Sequence, residues 1–206
     1  MKKIFLSFLV LSVAFYGCTP SVTIGTQTWM SNNLTTTYYK NGDPILEVES
    51  AESWANLTTG AWCYYNSDPS NETYYQKLYN WYALIDPRGL APSGWHIPSD
   101  AEWTTLSNFL GGDNVAGGPL KESGTLRWKS PNAGATNSSG FKGFPGGYRD
   151  FDGKFHDIGS SGYWWSLPPV GTTNPWFRTL GYAIGGFFGF NMDKQTVGFS
   201  VRCVKD

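Results

Sequence analysis

The chain is poor in charge, in histidine and in cysteine. Of its 206 residues 15 are Lys or Arg and 16 are Asp or Glu, a formal net charge of −1. With no basic excess, nothing draws it electrostatically to nucleic acid or to anionic lipid. Two histidines, His96 and His156, are too few for a His-rich zinc centre. There is no G-x-S-x-G elbow, no P-loop and no dinucleotide fingerprint, so these hydrolase, NTPase and oxidoreductase signatures are missing. Internal repeats, coiled-coil heptads and blocks of like charge are also absent. The apolar run at residues 4–15 is too short to make a comfortable membrane span.

That run has another use. Lys2 and Lys3 form a basic start, the apolar stretch follows, and Gly17-Cys18 closes it. A small residue directly before Cys at the end of such a run is the pattern of a bacterial lipoprotein signal, with an ordinary signal peptide as the alternative. Residues 1–17 therefore read as the signal, Cys18 as the lipidated N-terminus and residues 18–21 as a short linker. The protein would be anchored in the cell envelope, in the outer membrane, by acyl chains alone. Cys63 and Cys203 remain. In an oxidising compartment they are expected to form one disulfide closing a loop of about 140 residues, the alternative being two buried thiols.

Aromatic residues make up 17% of the chain and there are 25 glycines, a composition suited to a loop-rich, Trp-packed fold in one domain over residues 22–206. Its organising stretch is GWHIPSDAEWTTLSNFL, residues 94–110. Ser99 and Glu102 form a capping box, so a helix is expected from Asp100, with Trp103, Leu106 and Leu110 inward, Phe109 beside them and Gly111-Gly112 as the stop. His96 is expected to pack in the core or support the cap. Residues 22–34 read as a hairpin, residues 53–57 as a short helix, residues 61–65 as a buried strand end and residues 75–85 as a first helix. Beyond Gly112, residues 120–128 read as extended. Residues 141–157 read as a hairpin around Asp152-Gly153 in a tight type I′ turn, which also explains Asp150 and Asp152 without a calcium loop. Residues 162–167, 180–184, 187–190 and 198–204 read as strands.

The succession IGTQTWMSNNL, WCYYNSDPSN, LYNWYAL, GLAPSGWHIPSDAEWTTL, GFPGGYRDFDGKF, GYWWS and GFSVRCVKD resembles the Fibrobacter succinogenes major paralogous domain of bacterial lipoproteins and secreted proteins. That domain is similar in turn to the formylglycine-generating enzyme and sulfatase-modifying domains. The resemblance implies an α+β, C-type-lectin-like fold: two helices flanking small antiparallel sheets, paired termini, a loop-rich C-terminal half, and Cys63 bonded to Cys203. The related enzymes use late-region thiols that this chain lacks apart from Cys203, so no catalytic residue is assigned and no cofactor is expected, a structural calcium being left open.

Binding remains. Tyr148, Arg149, Trp176, Phe177, Arg178, Tyr182, Phe187, Phe188, Asn191 and Asp193 supply flat apolar faces mixed with hydrogen-bonding groups. Sugars pack a C–H face on such rings, and protein partners use the same anchors. Trp164, Trp165 and Phe199 are expected in the core. The leading expectation is an anchored binding or adhesion module for a glycan or a protein. The alternatives are an accessory part of an envelope assembly and, third, an oxidase related to the formylglycine-generating enzymes.

Overall fold

A computed structural model describes residues 19–169 and 171–206, so the signal and Cys18 lie outside the described residues. Strand β1 (Ser21–Ile24) turns at Gly25 and pairs antiparallel with β2 (Gln27–Met30), the expected hairpin. After the short β3 (Leu46–Glu47) and helix α1 (Ala51–Ala55) come β4 (Ala61–Cys63), helix α2 (Glu72–Tyr75), β5 (Leu78–Asn80) and helix α3 (Trp81–Leu84). Strand β6 (Trp95–His96) leads into α4 (Asp100–Phe109), and α5 (Gly117–Leu120) follows. The second half is strand: β7 (Gly146–Arg149), β8 (Phe155–Ile158), β9 (Ser161–Ser166), β10 (Trp176–Gly181), β11 (Phe187–Asn191), β12 (Gly198–Phe199) and β13 (Val204–Lys205).

The strands make two open sheets. One has the order β1-β2-β13-β6; the other runs β11-β10-β9-β7-β12-β5-β4-β3, with β8 on β7. The fold is mixed α/β with strands in the majority, and the last strand closes against both the second and the sixth. Two pairings, β3 with β4 and β7 with β9, are parallel.

Helix α4 forms where its capping box places it. The Ser99 hydroxyl accepts from the Glu102 amide at 3.3 Å, and the Glu102 carboxylate accepts from the Ser99 amide at 2.8 Å. Trp103 and Leu106 are fully buried between the two sheets; the Trp103 ring lies 4.4 Å from Trp29 and 5.5 Å from Phe187. Phe109 is not inward: it is 64% exposed and covers the Gly25 turn. Residues 109 and 110 are only 100° apart around a helix, and here the seam takes Leu110.

Several expectations are corrected. Residues 75–85 are not one helix. The chain leaves α2 at Gln76, enters the buried strand β5 between β4 and β12, and then makes the single turn α3, capped by the Asn80 side chain. Leu78, Tyr79 and Asn80 are all buried, so this strand has no alternation to set against the helical spacing. Of two expected flanking helices only α4 exceeds five residues, and the larger sheet is neither small nor wholly antiparallel. Residues 120–128 make no strand: Leu120 ends α5, Lys121 forms an isolated bridge with Gly143, and the chain then bends as far as Trp128. Of residues 180–184 only Leu180 and Gly181 are in a strand, the end of β10, and a turn follows; residues 198–204 split into β12 and the start of β13.

The β7–β8 turn has Gly153 alone at positive φ. The Gly153 amide donates to Asp150 O at 3.0 Å and the Asp150 amide to Lys154 O at 2.7 Å, the three-residue loop with a left-handed glycine rather than type I′.

Cys63 and Cys203 are free thiols, not a disulfide. Cys63 sits on β4 among Trp54, Tyr65 and Leu78, whereas Cys203 packs beside β2 in a different cluster, so the two belong to separate parts of the core. Burial pushes each thiol up to about 12, which keeps both protonated and inert.

Candidate functional site: an aromatic row across the larger sheet

Alternation along β9 and β10 sorts the late aromatics onto two faces. Trp164, Arg178, Leu180 and Phe187 face α4. Tyr163, Trp165 and Phe177 face the other way, with Tyr148 from β7 and Phe190, which pairs with Phe177, from β11.

On that face, beside the buried Trp165, five rings from five strands form a row. His156 of β8 lies 5.2 Å from Tyr148, Tyr148 lies 5.1 Å from Tyr163, Tyr163 lies 6.0 Å from Phe177, and Phe177 lies 5.8 Å from Phe190. Phe199 forms the floor. It is stacked on Tyr163 at 5.2 Å and stands 4.8 Å from Phe177 and 5.8 Å from Tyr148. The floor is buried, the first four rings are half-buried and Phe190 is 50% exposed. The row is therefore a ledge of ring faces and edges held from beneath.

Its polar groups gather at one end. Asp157 accepts from the Tyr163 hydroxyl at 2.7 Å; burial, and then that carboxylate, push the phenol well above its ordinary range, so Tyr163 stays neutral. Asp150, Asp152 and His156 offer ligand atoms that all lie within 4.8 Å of one another. This is a donor set for a divalent cation, but its two carboxylates have other work. Asp150 accepts from the Phe151 amide, and Asp152 accepts from the Lys154 amide and ammonium.

The sequence-derived candidates divide accordingly. Tyr148 and Phe177 are in the row. Phe188 is half-buried on the same face as Thr179, its cross-strand partner, and Asn191 and Asp193 are exposed near the end of β11. Trp176 is half-buried on the opposite side of β10 from Phe177, and Tyr182 is half-buried in the turn after β10.

Three candidates are corrected outright, because they are buried and committed internally. Arg149 donates to Gly153 O, Val48 O and Glu49 O at 3.0, 2.6 and 2.6 Å. Arg178 holds Asp100 and Thr104 of α4. Phe187 packs on Trp103. Sequence reasoning missed His156, Tyr163 and Phe190. The period-two alternation of YWW and FFGF was the signal for the last two. Trp164, Trp165 and Phe199 are core, as expected, and His96 supports the cap, bridging Glu102 at 2.6 Å and Asp206 at 2.8 Å.

Among the described residues no helix is long and apolar enough to cross a membrane. Over residues 22–205 the chain matches the Fibrobacter succinogenes major domain, and it belongs to that family. No curated protein and no solved structure matches it.

Proposed function

We propose that this member of the family is an extracytoplasmic binding module, anchored by lipid at Cys18, whose ligand is a glycan lying along the aromatic row. The observation that carries the reading is the set of rings His156, Tyr148, Tyr163, Phe177 and Phe190, spaced 5.1 to 6.0 Å apart on one half-buried face that opens at Phe190. Each ring can take the C–H face of a sugar, and Asp157 and Asp150 beside them can take hydroxyls. A C-type-lectin-like fold agrees with the closure of β13 on β2 and with the placing of α4 between the sheets; the single long helix is a departure from it. The Lys2-Lys3 start, the apolar run and Gly17-Cys18 support export and lipidation.

The test is a glycan array, run with calcium and again with chelator, on the protein beside Phe190→Ala and Tyr163→Phe. Phe190→Ala removes a ring that is half in solvent, and Tyr163→Phe removes only the hydroxyl on Asp157, so both variants are expected to fold. Binding that weakens at least about fivefold in Phe190→Ala supports the reading, since one stacked ring contributes on the order of 1 kcal/mol. A blank array with folded protein sinks it and directs attention to a protein partner of an envelope assembly.

A further inference from the structure

A second concavity lies away from the row and shares no residue with it. It is a cleft of about 590 Å³ between the segment after β2 and helix α2, within the range of small-molecule sites. Met30 and Leu34 give it apolar wall, and Thr35 and Thr73 stand exposed at its lip.

Gln76 makes this more than a surface dent. It lines the cleft, it is 9% exposed, and neither end of its amide has a partner among the described residues: Oε1 is sealed from solvent, and Nε2 is the end that keeps surface. Its backbone is at φ 63°, ψ −145°, close to a region that glycine alone visits readily. A polar side chain without a partner and a strained backbone are both unfavourable, and here they fall together on one residue of the cleft wall.

The surrounding chemistry narrows what would satisfy it. Asn33 forms part of the floor and is fully committed: Nδ2 donates to Tyr75 O, while Oδ1 accepts from Trp164 and from two nitrogens of Arg202. The carboxylate in the lining, Glu72, is neutralised by Lys77. Among the described residues no free charge is left to pair with a charged ligand, and no aromatic ring lines the cleft to stack a base. Amide, hydroxyl and short aliphatic groups suit a neutral molecule rich in hydroxyls.

We propose that this cleft is a binding site for a neutral polyhydroxylated molecule the size of one or two sugar rings, with a ligand hydroxyl accepting from Gln76 Nε2. The test is ¹⁵N and methyl NMR on the full-length protein titrated with glucose, galactose, mannose, N-acetylglucosamine, cellobiose and chitobiose, up to about 50 mM to reach weak millimolar affinities. Saturable shifts at Thr35, Thr73 and Gln76 with at least one sugar are expected. Gln76→Gly relieves the backbone and removes the amide, so it should melt no lower than the parent while binding falls about fivefold, the loss of one hydrogen bond between neutral groups. Phe190→Ala should leave these shifts intact, which separates the cleft from the row. Should Gln76→Gly fold poorly, intermolecular NOEs from the Met30 and Leu34 methyls to the sugar decide the matter in the parent. No saturable shift at these residues, no such NOEs, or undiminished affinity in a folded Gln76→Gly, overturns the proposal.

Discussion

Replacing Arg178 by Met separates two roles that one side chain could play on this sheet. Arg178 is 3% exposed on the α4 side of β10. Its Nε and Nη2 donate to Asp100 Oδ1 at 3.0 and 2.6 Å, and Nη2 also donates to Thr104 Oγ1 at 2.8 Å. Met keeps most of the stem and removes the charge. Breaking a fully buried pair costs about 3–5 kcal/mol, because the stranded partner keeps its desolvation penalty. Asp100 has 20% of its side chain in solvent. It also stands in the first turn of α4, whose amide dipoles stabilise a carboxylate by about 0.3–1 kcal/mol. The expected loss is therefore near the lower limit, about 3 kcal/mol. For a domain of this size that is a fall of about 6–12 °C in melting temperature.

Thermal and urea unfolding measure this loss, with a cycle through Asp100→Asn that should return a coupling of about 2 kcal/mol. Glycan binding at the row should survive in the folded fraction. A melting curve that stays in place while glycan binding disappears would refute the argument and put Arg178 at the ligand.

Three further outcomes are expected. His96 loses charge through burial but regains more from Glu102 and Asp206, so its pKa is raised. Its stabilisation is then complete below the ordinary value of 6.5 and fades as pH rises through the raised one; the gap in urea midpoint between parent and His96→Asn should narrow from about pH 6 to about pH 8. Cys63 and Cys203 should both resist alkylation in native protein and both react in denaturant without reductant; peptide mapping that finds them bonded refutes the separation of their two clusters. Gly147 has φ +61°, and a Cβ there would stand 2.2 Å from His156 O, so Gly147→Ala should cost more than about 3 kcal/mol or prevent folding. A melt close to the parent's would refute the β7–β8 register.

What could be read in advance was local. The start of α4 rests on residues three apart, and the hairpins rest on Gly25 and on Asp152-Gly153, so each is fixed within a few positions of sequence. Residues 75–85 were misread because Leu78, Tyr82 and Ile85 fit a helical stripe, and a strand buried on both faces offers no competing period. The aromatic row was half legible for a different reason. Its rings come from β7, β8, β9, β10 and β11, and membership depends on which way each strand faces. A shift of one residue exchanges Phe177 for Arg178 and Tyr148 for Arg149, a ring on the ledge for a guanidinium in the core.

Those interior cations follow from the loop-rich composition. A chain with short strands and much irregular backbone buries carbonyls that no ladder satisfies, and each needs a donor. Arg149 supplies three, to the carbonyls of Val48, Glu49 and Gly153. Lys121 also supplies three, to Ala133, Gly181 and Ile184 at 2.7, 3.0 and 2.7 Å, with burial lowering its ammonium to about 8. Arg202 serves Met30 and Phe141 besides Asn33, and burial brings it down to about 9. None of the three has a salt-bridge partner among the described residues, since backbone oxygens take the place of counter-ions. Each ties segments distant in sequence: residues 48–49 to the β7–β8 turn, residue 133 to the end of β10, and β2 to Phe141. An Arg or Lys amid aromatics in such a chain is thus as well suited to holding loops together as to meeting a ligand, and burial on its own strand face decides between the two.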